Sequence, residues 1–350
     1  MTNKQLITQL NTNGVLTKDE FVCLLSSYSP KDAEFARDLA QTIAKKHFGN
    51  KVYIRGLIEF TNICKQNCFY CGLRAENKNA SRYRLTPDDI MECCRDGYEL
   101  GFRTFVLQGG EDPHFDDELV CHIVKSIKAE FPDCAVTLSI GEKSRDTYQK
   151  FFDAGADRYL LRHETANSEH YSTLHPESLS LENRKRCLFD LKEIGFQTGC
   201  GFMVGSPNQT FETLAEDMLF IHELQPQMVG IGPFLPHKDT PFGCEPAGSF
   251  ELTLFLLSLV RIMLKNVLLP STTALGTIHP KGREMGILAG GNVVMPNLSP
   301  LSVRKKYMLY DGKISTDEES AQGLNLLKKQ MENIGYEITV SRGDFENLAE

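Results

Sequence analysis

The 350-residue chain has no excess of positive charge: 38 basic residues stand against 46 acidic ones, a formal net charge of -8. That balance excludes a surface built to hold nucleic acid and leaves no polybasic membrane anchor. No stretch approaches the roughly 18 uninterrupted apolar residues of a membrane span, and Met1-Thr2-Asn3-Lys4 leads to no apolar signal core. Eleven cysteines are present, but the number is odd and most are scattered without framework spacing. Reduced thiols in a cytosol account for them better than disulfides do. The expectation is a soluble cytoplasmic protein whose partners are small molecules or another protein, with no nucleic acid and no membrane.

Against that scatter, Cys64, Cys68 and Cys71 stand in C-x3-C-x2-C spacing just beyond an apolar run that ends at Phe60. A closed structural zinc site takes four ligands, and the nearest histidines, His47 and His114, lie well outside the triplet. Inert buried thiols are a poor account of three cysteines on one polar loop. A 4Fe-4S cluster normally takes four cysteine sulfurs, so three leave one iron open to an exogenous ligand.

The rest of the chain reads as a frame for that loop. Residues 4 to 48 carry apolar positions at spacings of three and four (Leu6, Ile7, Leu10; Phe21, Leu24, Leu25; Phe35, Leu39, Ile43), a helical extension punctuated by Ser29-Pro30 and Gly49-Asn50. β-rich runs then alternate with amphipathic helices. The strands expected are 52–60, 104–108, 135–139, 158–162, 197–203, 228–231, 266–269 and 292–295. The helices expected between them are 87–100, 117–131, 146–154, 181–194, 210–224, 252–264 and 283–289. Eight βα units predict an α/β chain folded as a (β/α)8 barrel, with a doubly wound sheet as the alternative. The division expected is an N-terminal helical extension over 1–50, the barrel over 51–310 and a C-terminal helical tail over 311–350. Within the tail, 316–334 reads as one amphipathic helix with Leu324, Leu327, Met331 and Ile334 on its apolar face.

In such a barrel chemistry lies at the C-terminal ends of strands, and the notable residues fall there. Gln108-Gly109-Gly110-Glu111 follows the second strand, where paired glycines alone would mark only a turn. Thr137 and Ser139 end the third. Arg162 and Glu164 end the fourth, where they can pair with each other, or the carboxylate can accept from ribose hydroxyls and the guanidinium can clamp a carboxylate. Arg184, on the next helix, reads as a second clamp or as a solvated helix residue. Gly201-Phe202-Met203-Val204-Gly205 permits close backbone approach to a flat ring, and Thr272 and Thr273 follow the seventh strand. The remaining single cysteines read as buried apolar fillers.

The triplet, with Tyr70 before its last cysteine, resembles the signature of the radical S-adenosylmethionine (SAM) superfamily, and Gly109-Gly110-Glu111 resembles its GGE element. The 201–205 segment is similar to its adenine-side G-x-I-x-G-x-x-E element, with Met203 in place of Ile and Asn208 in place of Glu. Segments 71–74, 77–86, RYLLRHETAN over 158–167, MVGIGP over 228–233 and TTALGT over 272–277 resemble the HydE-type maturases of FeFe-hydrogenase. Biotin synthase and methylornithine synthase share the outline.

The resemblance implies one 4Fe-4S cluster on Cys64, Cys68 and Cys71. It implies SAM contacts from Tyr70, Gln108, Gly109, Gly110, Glu111, Glu164, Arg184 and Met203. An iron-bound or amino-acid-like substrate would face Thr137, Ser139, Arg162, Thr272, Thr273 and Tyr310, with Arg162 also in the catalytic set. Reductive SAM cleavage to a 5'-deoxyadenosyl radical, an electron donor such as ferredoxin or flavodoxin, and other hydrogenase maturation proteins follow from the same resemblance. Some members carry an accessory cluster; the matching positions here are Ser315, Gly323 and Leu326, and no cysteine follows Cys244. A non-catalytic iron-sulfur scaffold is the alternative of a different class.

Overall fold

The computed structural model describes residues 1–314 and 320–346. Three helices open it, Asn3–Asn13, Lys18–Ser27 and Pro30–Phe48, each begun by a capping box: Thr2 with Gln5, Thr17 with Glu20, Ser29 with Asp32. Such a box satisfies two orphan backbone donors at once, which is why these short polar residues mark the helix starts. The extension lies outside the barrel helices. Pro30–Phe48 packs on Phe250–Met263, and Lys18–Ser27 on Phe211–Leu224. Covered in this way, Phe250–Met263 is buried on nearly every side, down to Arg261, whose guanidinium bonds to the carbonyls of Gly290 and Lys265 and to Asn292.

Six parallel strands run in the order Gly56–Thr61, Thr104–Gly109, Ala135–Ser139, Arg158–Leu160, Gln197–Cys200 and Met228–Val229. The ring is completed by single parallel bridges, Met228 to Leu268, Pro270 to Val293 and Leu57 to Asn297. Lys51–Ile54 adds a paired stretch with Val293–Val294. The helices between the strands include Pro87–Glu99, Asp117–Glu130, Arg145–Asp153, Leu181–Ile194 and Gly282–Leu288.

Several expected strands are shorter than the sequence pattern implies. The run expected over 52–60 breaks at Arg55, the one expected over 197–203 breaks at Gly201, and 266–269 contributes bridges without forming a strand of its own. The reason is closure: near the end of the ring the backbone pairs with a neighbour for only one or two residues before turning. Three short helices, Ser168–Leu174, Thr273–Ile278 and Leu301–Arg304, were not expected.

The tail helix is described over Ser320–Asn333; the start expected at residue 316 lies outside the described residues. Leu324, Leu327 and Met331 are buried, and Ile334 is partly so. A strand that the pattern did not reveal, Glu337–Thr339, then pairs in parallel with Lys51–Ile54. The chain beyond it closes the N-terminal end of the barrel. Arg158, fully buried, bonds to Thr104 Oγ1 at 3.0 Å, to the Arg342 carbonyl at 2.8 Å and to Asp344 at 2.7 Å. Arg342 in turn pairs with Asp157 and Asp344. No helix among the described residues is long and apolar enough to cross a membrane.

Removing one partner of a buried ion pair leaves the other charge uncompensated. Asp344→Ala is therefore expected to destabilise the fold by roughly 2 kcal/mol, less than a fully buried pair because Asp344 keeps contact with solvent. Burial alone would raise its pKa, but hydrogen bonds from Arg342 and the charge of Arg158 hold it well below the usual carboxylate range. The stabilisation is thus present above the ordinary carboxyl value of about 3.9 and is lost as the pH falls below it. Urea titrations at neutral and acidic pH should show wild type and variant converging at low pH.

Candidate active site

The cysteine loop is anchored by buried Leu73 and by Tyr70 packed on Leu174, Met203 and Phe234, and hydrogen bonds shape the rest of it. Asn62 donates to the carbonyls of Ser81 and Lys306 and accepts from the Tyr83 N–H at 2.8 Å. Arg82 donates to the carbonyls of Asn62, Leu73, Arg74 and Asn77. Arg84 clamps Asp112 through two bonds of 2.7 and 2.9 Å, and Asp112 also accepts from Thr61.

On the other side, Gly110 lets the second strand's end press against the loop: a Cβ there would lie 2.3 Å from the Ile63 carbonyl oxygen and 2.7 Å from Cys64 Cβ. The backbone N–H groups of Gln66 and Glu111 each point at Cys64 Sγ from 3.4 Å. Glu111, placed by the sequence among the SAM contacts, also spends its carboxylate on the protein. It accepts from Gln66 at 2.9 Å and from the Glu142 N–H at 3.2 Å, and it pairs with Lys65.

Cys64, Cys68 and Cys71 line one cavity of about 310 Å³ at the C-terminal end of the strands. Its wall also includes Tyr70, Gln108, Gly109, Gly110, Glu111, Ser139, Arg162, Glu164, Arg184, Met203, Thr272 and Tyr310. Two expected residues are not on that wall. Thr137 lies one inward position deeper than Ser139 on the same strand face, buried with its hydroxyl unpartnered. Thr273 is the first residue of Thr273–Ile278, and a helix turns about 100° per residue, so it diverges from Thr272, whose Oγ1 is buried and unpartnered.

Burial pushes all three thiols up, Cys71 to about 12. A thiol that ligates a metal does so as the thiolate and gives up its proton on loading. No three His, Cys, Asp or Glu side chains among the described residues converge on a single point as one bound ion requires. A polynuclear cluster takes each thiolate at a separate corner.

Arg162 and Glu164 approach to 3.1 Å, yet Arg162 Nε and Nη2 and Glu164 Oε2 have no hydrogen-bond partner. Buried polar atoms left in this state are what a polar ligand would satisfy. Glu164 has φ 65°, a left-handed conformation that costs a side chain roughly 1–3 kcal/mol. Its neighbour His163 holds that turn, accepting the Gly201 N–H at Nδ1 and facing Asp217 at 3.4 Å, while Asp217 accepts from the Ala166 N–H. Burial lowers the His163 pKa and raises that of Asp217, disfavouring the charged form of each. Arg184 is buried rather than solvated. It bonds to Glu142 and, at 2.6 Å, to the Arg162 carbonyl. Burial opposes its charge, but Tyr171 and Glu142 raise its pKa above the ordinary value.

Other parts of the site carried no local signal. Tyr70 Oη meets His175 Nε2 at 3.2 Å, and His175 Nδ1 meets the Tyr171 carbonyl at 3.0 Å. Burial pushes His175 down to about 3, so it stays neutral and can accept from Tyr70 while donating to Tyr171. Gln209 brackets the glycine-flanked segment, accepting from the Gly205 N–H and donating to the Met203 carbonyl. Across the mouth lies the segment 306–313: Tyr307 accepts from Gln108 at 3.2 Å, Leu309 accepts from the Gly72 N–H, and Lys313 forms a buried ion pair with Glu59. Of the accessory positions, Ser315 lies outside the described residues, while Gly323 and Leu326 sit on Ser320–Asn333.

The model of the Radical SAM superfamily matches residues 58–221. The chain is 49% identical over 297 residues to the [FeFe] hydrogenase maturase subunit HydE of Thermotoga maritima, covering 85% of this chain and 84% of that one. It is 27% identical to 3-methylornithine synthase of Methanosarcina acetivorans, over 95% and 93% of the two chains. The crystal structure of methylornithine synthase (PylB) superposes with a TM-score of 0.83 at 26% identity, over 95% of this chain and 97% of that one.

Gly110→Ala is expected to leave the barrel folded and to prevent the cysteine loop from seating. Circular dichroism should be unchanged, while iron retained after anaerobic reconstitution falls to a small fraction of wild type.

Proposed function

The chain belongs to the HydE family of the radical SAM superfamily, and from that premise we propose that it cleaves SAM reductively and acts on a small iron-bound cysteine complex during hydrogenase maturation. The observation that carries this reading is the convergence, in one cavity, of three cysteines with the Arg162–Glu164 ion pair and with polar atoms of Arg162, Glu164 and Thr272 that lack hydrogen-bond partners. Cys64, Cys68 and Cys71 would hold one 4Fe-4S cluster, which supplies one electron for splitting SAM into methionine and a 5'-deoxyadenosyl radical.

Around that centre the side chains divide the work. The Gly109-Gly110 backbone and Gln108 orient the methionine end of SAM, and Glu164 accepts from the ribose hydroxyls. Met203 offers its apolar surface to the adenine. Arg184, tied to Glu142 and to the Arg162 carbonyl, fixes the cavity wall and presents a charge to the SAM carboxylate. Arg162, Ser139, Thr272 and Tyr310 face the substrate, and a planar guanidinium beside hydroxyls suits an anionic or amino-acid-like group. The segment 306–313 contributes Tyr307, Leu309 and Tyr310 to the cavity wall. A low-potential carrier such as ferredoxin or flavodoxin supplies the electron, and other maturation proteins take the product onward. Eleven free cysteines suit a reducing cytoplasm. A non-catalytic iron carrier would have no use for the carboxylate and guanidinium aimed into the cavity.

Cys68→Ala should retain the fold by circular dichroism and release no 5'-deoxyadenosine after anaerobic reduction with SAM; normal release would remove the loop from the chemistry. Glu164→Gln should weaken SAM binding by about 1–3 kcal/mol, the range for a hydrogen bond to a charged group, while iron content stays constant. Arg162→Lys should lower hydrogenase maturation far more than SAM affinity, because a point charge does not replace a planar fork.

A further inference from the structure

The segment Ser81-Arg82-Tyr83-Arg84 lies beside the cysteine loop, and its two arginines are used differently. Arg84 is neutralised by the bidentate contact with Asp112. Arg74, in the loop itself, pairs with Glu76 at 2.9 Å. Arg184 has Glu142, and Arg162 has Glu164. Arg82 has no carboxylate within ion-pair distance among the described residues. Its four hydrogen bonds all end on main-chain carbonyls, those of Asn62 at 2.6 Å, Leu73 at 2.9 Å, Arg74 at 2.6 Å and Asn77 at 3.2 Å. Those carbonyls bracket the cysteines from both sides, so the guanidinium is fixed against the loop that carries them.

Carbonyl dipoles satisfy the donors of a guanidinium without cancelling its charge. The Asn62 carbonyl stands just before Cys64 and the Leu73 and Arg74 carbonyls just after Cys71, so the guanidinium is fastened to both ends of the cysteine loop. The positive charge is thus left for whatever negative charge the cysteines bring. We infer that Arg82 is a positioning residue that also acts electrostatically: its fork folds the cysteine loop, and its unpaired charge raises the reduction potential of the cluster held there. This inference rests on the reading that Cys64, Cys68 and Cys71 hold a 4Fe-4S cluster. Reduction adds one electron, taken from a low-potential one-electron carrier, and makes the centre more negative. A fixed cation nearby favours that state, net charge and hydrogen bonding being the levers by which a protein sets such potentials.

The test compares wild type, Arg82→Gln and Arg82→Lys after anaerobic reconstitution, reading iron per chain and then the fraction of reduced cluster by electron paramagnetic resonance along a redox titration. Arg82→Gln keeps an amide donor for the carbonyls but removes the charge. With the cluster loaded, its ratio of reduced to oxidised centre at a fixed solution potential should fall about tenfold, which is about 59 mV for one electron. Arg82→Lys keeps the charge and loses the fork. Its loaded fraction should drop, while the potential of the centres that do load stays near wild type. A loaded Arg82→Gln protein with the wild-type potential would overturn the electrostatic role. If Arg82→Gln does not load, Arg82→Lys decides: loading at the wild-type potential supports the inference, and failure of both variants reduces Arg82 to a structural fork and overturns it. Wild-type protein that takes up no iron would overturn the cluster reading itself, which separates that failure from this one.

Discussion

The structure depends on one constraint: three thiols must be held in fixed positions on a loop that offers few apolar side chains to a core, chiefly Tyr70 and Leu73. Its solution is to borrow rigidity from backbone groups. Arg82 and Asn62 gather the carbonyls of the loop and of the chain beside it, and Gly110 removes the one Cβ that would keep the second strand's end away. Glu111 then ties that strand end to Gln66 and to the Glu142 backbone. Charge-assisted hydrogen bonds are the stronger kind, and here they add to the burial of Leu73 and the packing of Tyr70. The barrel supplies only the platform.

Two buried ion pairs work at opposite ends of that platform. Arg158 and Asp344 fasten the chain's tail under the N-terminal end, and Glu59 and Lys313 fasten the segment 306–313 over the other. Neither is strong evidence for stability in itself, since desolvation opposes the attraction. Each does fix where a late segment of chain comes to rest. Between them they fix chain at both ends of the barrel, and Tyr307, Leu309 and Tyr310 of the later segment form part of the cavity wall.

Much of this was legible in the sequence because local rules and the fold agree. Leu181–Ile194 was bounded to the residue, since Ser180 caps its start and Gly195 turns left-handed at its end. The triplet stood out by its own spacing, and βα alternation put the paired glycines, Arg162 and Glu164 at strand ends, which in the structure line the same cavity. What escaped has a common cause: it lies far away along the chain. Glu142 beneath Arg184, His175 beside Tyr70 and Lys313 against Glu59 have no periodic signature, and the last pair are 254 residues apart. Thr137 and Thr273 were misplaced because residue type and strand number do not fix depth or direction. The strand expected at 266–269 reduces to a bridge at Leu268, which owes its extended form to its neighbours rather than to its own propensity.

The segment 306–313 also governs timing. Gly72, immediately after the last cysteine of the triplet, donates to the Leu309 carbonyl, and Asn62 before the triplet donates to the Lys306 carbonyl. During synthesis the cysteines emerge from the ribosome long before either partner exists, at a pace of about 5–20 residues per second. For that interval the nascent loop lacks two of its fastenings and the cavity lacks part of its wall. The finished geometry of the cysteine loop therefore waits for a segment that lies 244 residues beyond Asn62.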